Sequence, residues 1–298
     1  MKHLLSIETL AQADLETILA STVSLKQERG RHAQLPLAGQ TWAMLFSKSS
    51  TRTRVSFEVG IRELGGQVLF LPSNEIQLGR GEPIKDTARV MGRMVHGVVF
   101  RTFAQSDVEE FAHYARIPTI NALTDQEHPC QILADIFTFQ EKRGSIRGKV
   151  VTFIGDGAGN IATSFIFAAA KAGFELRIAA PKAFQPPAEL VKRAGGKIVL
   201  TEDVQAAARE ADMLYTDVWV SMGREQESAD RIRQMSGYQL NAAVVALARP
   251  GALVMHCLPA YRGKEIDEAT FEANAQTIFD ESENRLHVQK AILSWLVK

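Results

Sequence analysis

Two cysteines in 298 residues, Cys130 and Cys257, are too few for a disulfide framework. A reducing compartment is the expectation that follows. No uninterrupted apolar stretch approaches the ~20 residues that a membrane helix needs, so no membrane partner is expected. The opening run Met1-Lys-His-Leu-Leu-Ser-Ile-Glu8 acquires an acid too soon for a signal-peptide core, and the cytoplasm is the expected location. Neither charge is in surplus, with 34 Lys plus Arg against 34 Asp plus Glu. That balance removes the basic field that nucleic acid requires and the acidic tail of a solvated arm. Internal repeats and low-complexity tracts are lacking too. What remains is an ordinary composition, 46% hydrophobic and 23% charged, at a length suited to about two domains and a small-molecule partner.

Helical and strand patterns alternate along both halves. The first half reads as helix 13–27, strand 41–46, helix 50–64, strand 67–71, a helix opened by Pro83, strand 97–101, helix 106–115 and strand 117–121. The second reads as strand 149–154, helix 160–172, strand 175–180, helix 187–194, strand 197–200, helix 202–210, strand 213–216 and strand 253–257. Such alternation predicts parallel strands with helical crossovers. The expected fold is therefore α/β: two doubly wound parallel-sheet domains, residues 1–143 and 144–282, joined by connector helices. A helix over 128–142, with Ile132, Ile136 and Phe139 on one stripe, is the candidate connector. A final helix, 283–297, is expected to return to the first domain. Residues 73–82 and 221–237 are polar and poor in pattern, and read as mobile loops, the second as a lid.

Residues 49–54, Ser-Ser-Thr-Arg-Thr-Arg, lie between the run Trp42-Ala-Met-Leu-Phe46 and a helix whose Phe57, Ile61 and Leu64 form one apolar stripe. A helix start offers unpartnered N–H groups and partial positive charge, and so suits an anion. Arg adds a planar fork matched to phosphate, and Ser and Thr add hydroxyls without bulk. Taken alone, the segment also fits a capped helix with two solvated arginines.

Gly155-Asp-Gly-Ala-Gly-Asn160 follows a strand and opens a helix, yet it fails the dinucleotide fingerprint. Asn160 stands where a third glycine is needed, and the next strand ends in Ala-Pro rather than in an acid. No nucleotide cofactor is expected. His128-Pro-Cys-Gln131 stands at a helix start, where His can donate to a carbonyl oxygen and Gln can accept from an amide. Asp217-Val-Trp-Val-Ser-Met-Gly223 follows a strand at the ligand-binding edge, so Asp217 could pair with an amine and Ser221 with a carboxylate. His256-Cys-Leu-Pro259 ends another strand on that edge, with Arg285 downstream as a cation able to lower a thiol pKa. Zinc is not expected. Adjacent residues on a strand point to opposite faces, which separates His256 from Cys257.

Together, Ser50-Thr-Arg-Thr-Arg54, His128-Pro-Cys-Gln131, Asp217 to Gly223 and His256-Cys-Leu-Pro259 resemble the transcarbamoylase family over essentially the whole chain, and most closely its ornithine branch. One departure is Gly155-Asp-Gly-Ala-Gly-Asn160, where the family more often has Asp-Gly-Asn-Asn. The resemblance implies carbamoyl transfer from carbamoyl phosphate to the δ-amine of L-ornithine, without metal or organic cofactor. Other acceptors, acetylornithine or putrescine, and a non-catalytic homologue are the alternatives. It also implies that Ser50, Thr51, Arg52 and Thr53 hold phosphate, that Arg101 bridges phosphate and carbonyl, and that His128 and Gln131 address the carbamoyl group. By the same resemblance Asn160, Asp217, Ser221 and Met222 hold ornithine, and Cys257, Leu258 and Arg285 close the site. Arg101, His128, Asp217 and Cys257 are the expected catalytic residues. Gln77 matches a position that reaches into a neighbouring subunit, which implies a homotrimer with shared active sites.

Overall fold

All nine expected strands lie in two wholly parallel sheets. In the computed structural model, which describes residues 1–220 and 228–298, the chain divides into one unit of Met1–Phe137 with Glu283–Lys298 and a second of Thr138–Ser282. The first sheet contains β1 (Thr41–Phe46), β2 (Gln67–Pro72), β3 (Gly97–Arg101) and β4 (Thr119–Leu123), in the order β2-β1-β3-β4. The second contains β5 (Val150–Ile154), β6 (Glu175–Ala179), β7 (Lys197–Thr201), β8 (Met213–Thr216) and β9 (Leu253–His256), in the order β7-β6-β5-β8-β9. In each sheet the strand order reverses beside the first strand. The reversal falls between β1 and β3 in one unit and between β5 and β8 in the other, where crossovers part and leave a crevice at the carboxyl ends.

Strands β3, β5 and β8 are buried throughout and β1 in all but Thr41, as expected of parallel strands covered on both faces. The first unit's helices are α1 (Gln12–Gln27), α2 (Thr51–Glu63), α3 (Ile84–Met94) and α4 (Gln105–Ala115). Helix α5 (Pro129–Arg143) contains the division between the units, and α6 (Asn160–Ala172), α7 (Ala188–Ala194), α8 (Val204–Ala208), α9 (Ser228–Met235) and α10 (Ala242–Val245) follow. The stripes Phe57, Ile61, Leu64 and Ile132, Ile136, Phe139 are all buried. Each such side chain contributes roughly 1.5–3 kcal/mol by leaving water.

Several boundaries differ from the sequence reading. The last helix, α11, runs from Glu268 to Leu296 rather than starting at 283. Its first half buries Phe271 and Ile278, seven residues apart, a sparse signal, and neither Gly nor Pro breaks the run. Its second half belongs to the first unit, where Lys290 Nζ donates to Glu63 at 2.7 Å and Trp295 Nε1 to Asp14 at 2.8 Å. Strand β4 begins two residues late, after Pro118, which has no N–H to donate. Helix α8 is shorter than expected because Asp203 caps it, accepting from Ala206 N at 2.9 Å. The expected loop 73–82 holds two 3-10 turns, Ser73–Glu75 and Gln77–Arg80. Within the expected loop 221–237 stands α9, with Arg231 and Met235 buried. Residues 221–227 lie outside the described residues.

Gly97 faces Trp42 across the β1/β3 register, and a Cβ there would meet the indole at 2.5 Å. Gly97→Ala is expected to cost ~1–3 kcal/mol through overpacking. The measurement is the urea midpoint for loss of the buried Trp42 fluorescence.

Candidate active site

Strand β1 ends at Phe46, paired in register with Arg101 at the end of β3, and Ser47 N donates to the Arg101 carbonyl at 2.8 Å. The loop that follows and the Arg101 side chain thus leave the sheet together at its point of reversal. Ser50 has extended backbone and caps α2, its Oγ accepting from Thr53 N at 3.3 Å. This cap leaves other first-turn N–H groups of α2 facing outward with Thr51 and Arg52, as an anion site requires. Thr53 is buried, and its Oγ1 accepts from Arg285 Nη2 at 2.5 Å.

His128 lies just before α5 and is buried. Burial holds its imidazole well below the ordinary 6.5, and the positive charges of Arg285 and then Arg101 push in the same direction. A neutral ring beside two guanidinium groups can donate one hydrogen bond to a carbonyl oxygen without being an acid. Gln131, one turn on, donates from Nε2 to Asp135 at 2.8 Å. The first unit therefore brings together Thr53, Arg101, His128 and Arg285. Gln77 is exposed, on its own 3-10 turn. Cys130 is inert: burial pushes its thiol up to about 12.

In the second unit, β5 ends at Ile154, opposite Thr216 at the end of β8. The Gly155–Gly159 turn leads from one strand into α6 at Asn160, and Asp217 follows the other. Gly157 is required by packing: a Cβ there would meet Ile178 Cγ2 at 2.7 Å and the Phe184 carbonyl at 3.0 Å. Asp217 and Cys257, both expected to be catalytic, are in contact, the thiol donating to Asp217 Oδ1 at 3.1 Å. Val218 N also donates to that oxygen, at 2.7 Å. Burial of the carboxylate raises the Asp217 pKa above its ordinary value, outweighing the opposing influence of His256, the thiol and Val218 N–H.

The separation expected of His256 and Cys257 does not hold. Strand β9 stops at His256, so alternation no longer governs Cys257, and donor atoms of Asp217, His256 and Cys257 lie within 4.8 Å of one another. The imidazole is nevertheless engaged at both nitrogens. Nδ1 accepts from Leu258 N at 2.9 Å, which leaves Nε2 to donate to Glu265 at 3.2 Å. A metal there would have to displace one of these bonds. Leu258 sits at φ 59, a left-handed conformation that its N–H bond to His256 helps hold. Among the contacts described for Arg285, those with Thr53 and His128 lie in its own unit. Ser221 and Met222 lie outside the described residues.

Three side chains escaped the sequence reading. Lys48 pairs with Asp125, lies 4.5 Å from the Phe103 ring centroid, and lines a cleft of about 740 Å³ with Ser49, Ser50, Thr51 and Arg54. Its place beside the serine run was the available signal. Asp156 and Arg231 form a buried ion pair 75 residues apart in sequence, which no local pattern announces.

Two parallel α/β sheets, one followed by a Ser-capped helix start beside Arg101 and the other carrying a carboxylate–thiol pair at the ends of β8 and β9, fit a group-transfer enzyme. The chain belongs to the aspartate/ornithine carbamoyltransferase family. The family's carbamoyl-P binding domain matches residues 2–141, and its Asp/Orn binding domain matches residues 147–296. An ornithine carbamoyltransferase of Akkermansia muciniphila is 52% identical over 299 residues, covering 99% of this chain and 98% of that protein. Among solved structures, the ornithine carbamoyltransferase of Pyrococcus furiosus superposes with a TM-score of 0.93 at 40% identity, covering 99% of this chain and 97% of that one. The anabolic enzyme of Campylobacter jejuni gives 0.93 at 41% identity, with 99% of each chain covered.

The depressed His128 pKa makes stability depend on pH. As pH falls through ~6.5, the unfolded chain takes up a proton that the folded chain refuses, so stability is full above that pH and declines below it. One such group gives a slope of up to ~1.4 kcal/mol per pH unit. His3 and His287, also shifted down by burial, act in the same direction. His128→Asn is expected to shallow the fall in unfolding midpoint between about pH 7 and 5, as measured by denaturant titration across that range.

Proposed function

We propose that the chain transfers the carbamoyl group from carbamoyl phosphate to the δ-amine of L-ornithine, releasing L-citrulline and phosphate, as a step of arginine biosynthesis. The observation that carries this reading is the grouping of a capped helix start, Thr53, Arg101 and neutral His128 in the first unit. Phosphate oxygens are assigned to the start of α2 with Ser50, Thr51, Arg52 and Thr53, and Arg101 to phosphate and carbonyl together. As the amine nitrogen attacks the carbonyl carbon, negative charge moves to the carbonyl oxygen. Arg101, His128 and the Thr53 hydroxyl are assigned to meet it, each such donor being worth ~2.7–4 kcal/mol. The intermediate collapses by breaking the bond from carbon to the phosphate oxygen; phosphate leaves with the electron pair and takes up the proton that the newly bonded nitrogen gives up. Gln131, Leu258 and Arg285 are assigned to hold the donor substrate.

The amine must lose a proton before it attacks. A lysine-like amine with pKa ~10.4 is almost wholly protonated at pH 7, and reaching neutrality costs roughly 4–5 kcal/mol. A carboxylate whose pKa is raised takes that proton more readily than an ordinary one, which supports Asp217 with Cys257 as the groups that orient and deprotonate the amine. Asn160, Ser221 and Met222 are assigned to the amino-acid end of ornithine. A homotrimer accords with the exposed Gln77 turn, with exposed Val55, and with Leu69 on β2, an uncovered sheet edge. The cytoplasm accords with two cysteines not joined by a disulfide.

Steady-state citrulline formation tests the reading. Arg52→Ala is expected to raise KM for carbamoyl phosphate about tenfold or more through loss of a charge-assisted contact. Cys257→Ala is expected to lower kcat by ~10²-fold while KM for carbamoyl phosphate stays within a few fold. Equal loss of carbamoyl phosphate affinity in both variants would sink the assignment. Faster carbamoylation of putrescine than of ornithine would overturn the substrate. Sedimentation equilibrium at the monomer mass would overturn the trimer.

A further inference from the structure

The proposed chemistry makes no use of the buried pair Asp156 and Arg231. A charge is rarely kept out of water unless paired and hydrogen-bonded, and replacing such a pair by apolar side chains is often neutral or stabilising. Stability alone therefore gives no account of this pair. Arg231 on α9 is 6% exposed; its Nε donates to the Trp219 carbonyl at 2.6 Å, its Nη2 contacts Asp156, and its guanidinium carbon lies 4.6 Å from the Phe184 ring centroid. Trp219 is two residues past Asp217. Asp156 shapes the opposite segment: its Oδ1 accepts from Ala158 N at 3.1 Å and its carbonyl from Gly159 N at 3.1 Å, in the turn that delivers Asn160 to the start of α6. One planar guanidinium thus ties together the two segments that leave the sheet on either side of its β5/β8 reversal.

We propose that the Arg231–Asp156 pair is a positioning device for the amine substrate, fixing the spacing of Asn160 from Asp217 and so setting affinity for the acceptor. This rests on ornithine being that acceptor. The fork geometry matters because two acceptors, a carboxylate and a carbonyl, are held at once in one plane. Lysine keeps the charge, yet as a point donor on a flexible stem it cannot hold both in that geometry. Asp156→Asn keeps the shape and removes the charge.

The test uses the full-length enzyme with Arg231→Lys and Asp156→Asn. KM for each substrate, kcat and the unfolding temperature are measured, and calorimetry reports binding of L-ornithine in the presence of inorganic phosphate. Arg231→Lys is expected to weaken ornithine by about tenfold or more, in both KM and calorimetric Kd, with KM for carbamoyl phosphate within about twofold. Asp156→Asn is expected to do likewise. Unchanged ornithine affinity in both variants, with only the unfolding temperature lowered, would reduce the pair to a structural one and overturn the inference. So would equal weakening of both substrates. Wild-type enzyme that binds ornithine without forming citrulline would refute the reaction while leaving the calorimetric comparison to decide the positioning role. Wild type that binds no ornithine would overturn both.

Discussion

The loop after β1, Arg101, the Gly155–Asn160 turn and Asp217 owe their placement to one constraint of parallel sheets: where the strand order reverses, neighbouring strands send their crossovers to opposite faces and leave their carboxyl ends uncovered. In the first unit that place lies between β1 and β3, and the Phe46–Arg101 register puts the serine-rich loop and the Arg101 side chain there together. In the second it lies between β5 and β8, where the Ile154–Thr216 register does the same for the Gly155–Asn160 turn and Asp217. Neither crevice needs to be carved by side chains. The backbone leaves it open, and the sequence places polar residues beside it.

The two cysteines illustrate how local surroundings then divide chemistry from structure. Cys130 lies in a helix that starts beside His128, and burial outweighs the nearby Arg285 charge, so its thiol is pushed up to about 12. Cys257 lies one residue beyond a strand end and donates to a carboxylate that burial has made more basic. The same logic applies to histidine. His128 is kept neutral by burial and by two nearby guanidinium groups, which suits a hydrogen-bond donor to developing charge. His256 is fully buried and hydrogen-bonded at both nitrogens, so it shapes the Cys257–Leu258 turn.

Much of this was legible in the sequence because it is local. Nine strands and the start of α2 follow from short apolar runs and a Ser cap, and the Asp217 and Cys257 segments announced themselves by falling at strand ends. Local signals failed where a distant partner decides the outcome. The first half of α11 has only Phe271 and Ile278 to mark it, and α9 hides in a polar stretch whose Arg231 acquires meaning from Asp156, far away in sequence. Strand alternation was the ground for parting His256 from Cys257. It failed because the strand ends one residue earlier than the apolar run suggests.

The ion pair of Asp156 with Arg231 and the contact of Arg285 with Thr53 place a charge in a similar position, against a segment that leaves a sheet for a helix. Each guanidinium is buried and reaches a residue in or beside a strand-to-helix connection. Water would compete for those bonds if the loops moved freely, so burial both strengthens each bond and penalises any conformation that breaks it. Loops at the carboxyl ends of a parallel sheet are otherwise its least constrained parts. A desolvated arginine against each connection therefore restrains loops that the parallel sheet alone would leave free.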